Sequence, residues 1–135
     1  MKALRHWPLW AAGYAVWFIV LYVLSSMSNP MPQPKVWGFD KVEHAAYFTA
    51  GAILLGLALR FRPRPLPSRL VNGIVVLTGA AVGWFDEWHQ SFTPGRSGLD
   101  LGDWLADLTG SVLGAAMLTW WWRRRTARTG TEIGR

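Results

Sequence analysis

The sequence predicts an all-α protein, a bundle of four transmembrane helices with both termini in the cytoplasm. Two observations carry this prediction. Four apolar stretches divide the chain, and the segments between them alternate between basic and acidic character. A length of 135 residues leaves room for one core of ordinary size. We therefore expect a single domain over residues 1–125, followed by a disordered cytoplasmic tail over 126–135 that is rich in Thr, Gly and Arg.

The first apolar stretch is long enough to cross a bilayer by itself. It runs from Trp7 to Ser26 without a charged residue, and a helix needs roughly 20 residues to cross a hydrocarbon core about 30 Å thick. Lys2 and Arg5 precede it, as basic residues precede the apolar part of a signal peptide. The apolar part is too long for a signal peptide, so we interpret this stretch as an uncleaved anchor helix.

The other three apolar stretches are shorter and admit two interpretations. They run from Ala45 to Leu59, from Leu70 to Phe85 and from Leu108 to Trp122. Taken singly, each is also compatible with a buried helix of a soluble bundle. The flanking Trp and Arg residues are of the kinds that extend a transmembrane span, because Trp favours the interface and the long Arg side chain can reach it. We therefore expect four crossings.

The positions of Lys and Arg predict the orientation, because short loops rich in these residues stay in the cytoplasm. All but three of the 14 basic residues lie in the amino-terminal tail, between the second and third stretches, or after the fourth. The exceptions are Lys35, Lys41 and Arg96. Trp residues form two predicted belts, with Trp7, Trp10 and Trp120 to Trp122 at the cytoplasmic boundary and Trp37, Trp84, Trp88 and Trp104 at the outer one.

Composition excludes several classes of protein. A net charge of +6 is compatible with a nucleic-acid binder, but such a protein spreads Lys and Arg among polar surface residues. Here these residues stand in short blocks between apolar runs, so we expect no nucleic-acid partner. The chain contains no Cys, which excludes disulfides, thiolate metal sites and Cys nucleophiles.

Acidic residues gather at the predicted outer end, and several of them follow a helical pattern. On the second helix, Asp40, Glu43, His44 and Tyr47 recur at spacings of three and four, which places them on one stripe. Polar groups that enter a membrane on one stripe normally face the bundle interior or a water-filled cavity. The alternative is a charged helix start favoured by the helix dipole, with His44 as an ordinary interior histidine.

The outer end of the third helix carries a second group of polar residues. Asp86 and Gln90 lie one turn apart, so both side chains can be directed inward, and Glu87 stands between them in the sequence. Arg96 follows in the next loop, between two acidic groups. Its guanidinium group can pair there with carboxylates, which would stabilise the loop, or hold a phosphate through two hydrogen bonds.

The fourth helix opens with acidic residues that have different predicted roles. Asp100 is placed as an N-cap, with Asp103 three residues later in a capping arrangement. Asp107 lies one turn inside the span, where an unpaired ionised carboxylate is costly. We therefore expect it to have a partner, such as Arg96 or His44, or a raised pKa.

Three motifs follow one another over roughly residues 36–116. They are Asp40-Lys41-x-x-His44-x-x-Tyr47, then Glu87-x-x-Gln90-x-Phe92-x-Pro94-Gly95-Arg96-x-x-x-Asp100-x-x-Asp103, then a last helix rich in small residues with Gly110 and Gly114, a spacing suited to close helix packing. In this combination the motifs resemble those of the VanZ-like family. The resemblance implies a small protein of the bacterial cytoplasmic membrane, in a family named for a protein linked to teicoplanin resistance. Asp107 departs from the family pattern, which has Asn a turn after the Asp pair.

Two functions of different classes are open, beside a purely structural or assembly role. In the first, an outward-facing polar pocket binds a membrane lipid or a lipid-linked cell-wall intermediate, and thereby affects access of glycopeptides such as teicoplanin. In the second, a membrane enzyme acts on a lipid head group or lipid phosphate, with His44 or Glu87 as acid or base and Arg96 as anion clamp. The sequence pattern places no nucleophile opposite a base, because Ser91 and His89 do not face each other on a helix.

Both functions use the same candidate site. Its catalytic candidates are His44, Glu87 and Arg96. Carboxylates at this density can also hold a divalent cation such as Mg²⁺ or Ca²⁺ through oxygen ligands, but the sequence assigns no metal ligand. The candidate binding residues are Asp40, Lys41, His44, Tyr47, Asp86, Glu87, Gln90, Arg96, Asp100, Asp103 and Asp107.

Overall fold

The computed structural model describes residues 6–28, 38–64 and 66–132, with side chains to residue 127 in the last helix. Within these ranges the chain forms four α-helices and no strand, which confirms the predicted all-α four-helix bundle. They are α1 (Trp7–Ser25), α2 (Phe39–Arg60), α3 (Ser68–Gln90) and α4 (Leu101–Glu132). The predicted positions of Lys2, Arg5, Lys35 and Trp37 lie outside the described residues.

Local sequence explains where the first three helices begin. Pro8 stands in the first turn of α1, where a missing N–H costs no helical hydrogen bond. Gly38 precedes α2 with a φ of 77°, a left-handed conformation that glycine adopts without a Cβ clash. Pro67 precedes α3, and its ring fixes an extended backbone there. Each start therefore follows from a residue with a special backbone preference.

Helix α2 occupies the centre of the bundle. It packs most extensively against α4, and it also contacts α1 and α3. The close approach to α4 depends on the predicted glycine pair. A Cβ at Gly114 would lie 2.6 Å from the Cβ of Ala52 and 2.7 Å from the carbonyl oxygen of Thr49, and a Cβ at Gly110 would collide with the backbone of Ala45. Glycine at these two positions therefore lets the two helix backbones meet.

The outer surface of the bundle is apolar, as expected of a membrane protein. Helices α1, α2 and α3 are each long and apolar enough to cross a membrane. Large apolar side chains such as Leu9, Ile19 and Leu77 are more than half exposed, which is unusual on a monomer in water. Most of the buried polar side chains instead lie inside the bundle at its acidic end, among them Asp86 and Glu87. The arrangement is that of a membrane protein.

Helix α4 is not among the three helices that meet the length and apolarity criteria. Its average is lowered by polar residues that do not face outward, because Asp107 and Ser111 are fully buried within the bundle. The outward face carries Val112, Leu113 and Met117, each about half exposed. A fourth crossing stays a prediction, and this apolar face supports it.

Charged residues separate to the two ends of the bundle. Helices α2 and α4 both begin at the acidic end, where Lys41 meets Asp103, and α3 ends there. At the other end three arginines lie over tryptophan rings, with Arg124 at 4.0 Å from the ring centroid of Trp120 and the others at slightly longer distances. Such cation–π contacts fit an interface between water and hydrocarbon. The assignment of the basic end to the cytoplasm is still a prediction.

Helix α4 continues beyond the domain boundary predicted at residue 125. The sequence predicts a disordered tail over 126–135, whereas the helix extends to Glu132. Arg is a strong helix former, and no Gly or Pro separates Trp122 from Thr129. The Thr126 hydroxyl donates to the Trp122 carbonyl at 3.2 Å and adds a bond within the helix. The polar composition of residues 126–132 therefore does not end the helix.

Candidate functional site

A pocket of about 630 Å³ lies at the acidic end of the bundle. Helices α1, α2 and α3 contribute to its walls, together with the first turn of α4 and the loop after α3. Seven of the residues predicted to bind a ligand line it, and they come from two stretches that are distant in sequence, 40–47 and 86–103. They are Asp40, His44, Tyr47, Asp86, Gln90, Arg96 and Asp103.

The polar stripe of α2 forms one wall of this pocket. Asp40, Glu43, His44 and Tyr47 all line it, as their helical spacing predicts. Tyr47 has a further role, because its hydroxyl donates to the carbonyl of Trp17 at 2.9 Å and the indole N–H of Trp17 donates back to the Tyr47 carbonyl at 3.0 Å. The two rings also stack at 5.3 Å. Tyr47 therefore fixes α1 against α2, and its hydroxyl proton is already engaged.

A chain of hydrogen bonds joins the end of α3 to the following loop. The amide nitrogen of Gln90 donates to Oδ2 of Asp86 at 2.7 Å, and both side chains are buried. The amide oxygen of Gln90 accepts from Nε and Nη2 of Arg96, at 3.2 and 2.8 Å. Among the described residues Arg96 forms no ion pair, so the predicted carboxylate partner is replaced by this amide. The guanidinium keeps its other N–H donors for a ligand.

Glu87 lies behind the pocket and is not one of its lining residues. Its side chain is only 1% exposed. Oε2 accepts the backbone N–H of Asp100 at 2.7 Å, which ties the end of α3 to the start of α4. Oε1 has no hydrogen-bond partner among the described residues. Since His44 lines the pocket and Glu87 does not, the position of His44 suits the predicted role of acid or base better than the position of Glu87 does.

Asp107 has one of its two predicted partners. Its Oδ1 lies 2.9 Å from Nδ1 of His44, and its side chain is 0% exposed. Arg96 makes no such contact in the described part of the chain. Gly83 makes the burial sterically feasible, since a Cβ there would lie 2.8 Å from Oδ2 of Asp107. Oδ2 itself has no described partner. The pair orients the imidazole ring, which lines the pocket.

Lys41 joins the starts of α2 and α4 just outside the pocket lining. Its Nζ lies 2.5 Å from Asp103, 3.2 Å from Asp40 and 3.4 Å from Asp100. Asp100 is the predicted cap, because its Oδ1 accepts the backbone N–H groups of Gly102 at 2.7 Å and Asp103 at 3.3 Å. These N–H donors, with Lys41, hold the pKa of Asp100 below its usual range. Lys41 and Asp100 thus support the site and do not line the pocket.

Helix α1 supplies part of the site that the sequence did not predict. Leu21, Leu24 and Ser25 line the pocket. The buried Ser25 hydroxyl lies 3.2 Å from Nδ1 of His89, so a hydroxyl does stand beside a base. The two residues belong to different helices, and spacing within one motif does not predict such a contact. Thr93 donates to the Ser25 carbonyl at 3.1 Å and ties the same point to the loop. In the sequence, the only indication that this part of α1 contributes to the site is the pair Ser25 and Ser26, which ends an apolar run.

One group of side chains has the composition and spacing of a metal site. His44, Asp86 and Glu87 each place a potential ligand atom within 4.8 Å of the others. The pocket as a whole is rich in carboxylates, with Arg96 as the guanidinium among its lining residues. Chemically, it can accept an amino group or a metal ion at its acids and a phosphate oxygen at Arg96.

Comparison with known proteins gives one match. A family model described as VanZ/LLP1 matches residues 9–123, which is most of the chain and includes all the candidate site residues. A search of curated proteins and a search of solved structures each found no match to the chain.

Proposed function

Since the chain belongs to the VanZ/LLP1 family of membrane proteins, we propose that it is a multi-pass protein of the bacterial cytoplasmic membrane. In this proposal its outward-facing pocket binds the head group of a membrane lipid or of a lipid-linked cell-wall component. The excess of Lys and Arg at the opposite end of the bundle supports the outward orientation of the pocket. The grouping of polar side chains inside an apolar shell supports a ligand that comes from the membrane.

The observation that carries the proposal is the amphipathic lining of the pocket. One part is formed by charged and amide side chains at the ends of α2 and α3. Another part is formed by Leu21 and Leu24 of α1 and by Ala46 and Ala50 of α2. The two alanines are exposed on the outside of the bundle. A head group can therefore lie among the polar side chains while its acyl or polyprenyl chain follows the apolar surface between α1 and α2.

The charges of the lining residues indicate how a head group would lie. Arg96 can hold a phosphate oxygen with the N–H groups that Gln90 does not occupy. Asp40 and Asp103 can accept hydrogen bonds from hydroxyl or amino groups of the same molecule. Sequestration of such a component at the outer surface would alter the access of glycopeptides such as teicoplanin to it, which links the pocket to the phenotype for which the family is named.

The proposal is tested by measuring which lipids the protein retains. The chain would be purified in nanodiscs of bacterial lipid and analysed by native mass spectrometry, beside Arg96→Ala and Arg64→Ala. Arg64 is exposed at the basic end, so its replacement removes the same charge far from the pocket. We expect Arg96→Ala to lose bound lipid by at least about tenfold, as a lost charge-assisted phosphate contact implies, and Arg64→Ala to retain it. Equal retention in all three proteins would refute the proposal.

The alternative is a membrane enzyme acting on a lipid head group or lipid phosphate. Two observations favour it, since His44 and Arg96 line the pocket and Ser25 stands beside His89. Lipid extracts from cells that produce the wild type, Ser25→Ala or Arg96→Ala separate the two functions. The same intermediate accumulating in both variant strains would favour catalysis. Unchanged lipids together with altered glycopeptide sensitivity would favour binding alone.

A further inference from the structure

We propose that His44, Asp86 and Glu87 form a binding site for one divalent transition-metal ion, of the Zn²⁺ or Mn²⁺ class, at the inner wall of the pocket. The potential ligand atoms of the three residues lie within 4.8 Å of one another. Donor atoms around a tetrahedral zinc are about 3.3 Å apart, given metal–ligand distances of about 2.0 Å. The side chains would therefore approach one another by about 1.5 Å at most, which small rotations about side-chain bonds supply.

An unpaired carboxylate oxygen is a second observation in favour of this site. Oε1 of Glu87 has no partner among the described residues, although the side chain is only 1% exposed. Native proteins seldom leave a buried acceptor of this kind unsatisfied, and a bound ion is one way in which such an oxygen is satisfied. The other oxygen of Glu87 is fixed by the Asp100 N–H at 2.7 Å. The carboxylate is therefore held in place with one oxygen free.

The histidine is oriented as in known metal sites. A ligating imidazole usually donates its second N–H to a carboxylate, which fixes the tautomer and raises the basicity of the ligand nitrogen. Nδ1 of His44 stands 2.9 Å from Oδ1 of the fully buried Asp107. When Nδ1–H donates to this carboxylate, Nε2 keeps its lone pair for an ion. Asp107 is thus assigned as a positioning residue behind the ligand.

The balance of buried charge favours a dication in this place. Asp86, Glu87 and Asp107 are all nearly inaccessible to solvent. Their only ion-pair partner in the described part of the chain is the imidazole of His44. Burying unpaired carboxylates costs several kcal/mol per group, which is offset either by protonation or by charge of the opposite sign. One divalent cation supplies that charge and also contacts the free oxygen of Glu87.

The ligand types select the class of metal. One imidazole nitrogen and two carboxylate oxygens suit Zn²⁺ or Mn²⁺ better than Mg²⁺ or Ca²⁺, which prefer oxygen ligands alone. His44 and Asp86 line the pocket, so an ion at this position would keep a coordination position open to it. A phosphate oxygen could fill this position between the ion and Arg96. That last step rests on the proposed lipid-binding function, whereas binding of the ion does not.

Binding of the ion alone is measured on the chelator-treated full chain in detergent. Isothermal titration with ZnCl₂, MnCl₂ and MgCl₂ would compare the wild type with Glu87→Gln and Glu43→Gln. Glu43 is a matched control, since it also lines the pocket but stands outside the triplet. We expect one Zn²⁺ or Mn²⁺ per chain, at least tenfold weaker binding of Mg²⁺, at least tenfold weaker binding by Glu87→Gln, and less than a twofold change for Glu43→Gln. Asp107→Asn should weaken binding by roughly 10- to 100-fold.

Several results would overturn this inference without touching the proposed function. One is a wild type that binds no ion saturably. Another is equal weakening by Glu43→Gln and Glu87→Gln, which would show adsorption to the acidic pocket only. X-ray absorption of the zinc-loaded wild type decides the case if a variant does not fold, because the inference requires an imidazole nitrogen among the ligands. Lipid retention by metal-free protein in nanodiscs is scored separately, so each proposal can fail alone.

Discussion

Replacement of Gly110 by alanine tests the close packing of α2 and α4. A Cβ at this position would collide with the carbonyl oxygen of Ala45 and lie 2.9 and 3.0 Å from its carbonyl carbon and Cα. Carbon atoms prefer separations of about 3.5–4.0 Å, and these atoms belong to a helix backbone that no side-chain rotation can move. The two helices must therefore separate by about 0.5–1 Å.

The expected loss of stability follows from two opposing terms. Overpacking costs up to about 3 kcal/mol, and alanine gains about 1 kcal/mol over glycine in a helix interior. We therefore expect Gly110→Ala to lower the free energy of unfolding by about 2 kcal/mol. Gly73 in α3 is the matched control, because a Cβ there meets nothing within 4 Å. Gly73→Ala should raise the free energy of unfolding by about 1 kcal/mol.

The assay is reversible unfolding in mixed micelles, in which increasing amounts of SDS are added and helix content is followed by circular dichroism. The two variants should differ by about 3 kcal/mol, with opposite signs relative to the wild type. The packing argument fails if Gly110→Ala is as stable as the wild type. It also fails if Gly73→Ala loses as much stability as Gly110→Ala, since the collision would then not be the cause.

Two further predictions concern orientation and acid stability. The chain has no Cys, so Ser97→Cys and Thr126→Cys each provide one thiol. A membrane-impermeant maleimide applied to intact spheroplasts should label the first variant and not the second, and the reverse pattern would contradict the orientation. The folded-state pKa of Asp100 is lowered from 3.8, so its contribution to stability is complete above about pH 4 and is lost as the pH falls through the lower folded value. Asp100→Asn should flatten the fall in stability in that acidic range, and an unchanged pH profile would show that the cap does not cause it.

Regular spacing within one helix allowed much of the fold and site to be predicted. The charge-free run from Trp7 identified α1, and the one-turn spacing of Asp86 and Gln90 predicted two side chains on one inward face. The cost of a lone carboxylate inside a span predicted a partner for Asp107, which is His44. In each case a short-range rule about helices or solvation sufficed, because the relevant neighbours are determined by the period of the helix or by burial.

Contacts between helices could not be predicted in the same way. Ser25 and His89 meet although they are 64 residues apart, and the Trp17 and Tyr47 pair is 30 residues apart. The faces through which two helices meet depend on the packing of all their side chains, and this packing cannot be derived from the periodicity of one sequence. The position of Glu87 behind the pocket was missed for the same reason, because its backbone partner belongs to a loop that folds back over the end of α3.

The buried arginine at the basic end has a consequence for the kind of process that the protein can carry out. The buried ring of Phe48 lines the pocket, and Val71 and Val75 of α3 form a separate buried cluster with Ala52 of α2 and Ala115 of α4. At the far end Arg60 donates to the hydroxyls of Ser68 at 3.1 Å and Thr119 at 3.2 Å, and so holds three helices together. In the described part of the chain, this cluster lies along α2, α3 and α4 between the pocket lining and the contacts of Arg60. Passage of an ion or solute from the pocket to the basic end would therefore require these packed side chains and the hydrogen bonds of Arg60 to separate.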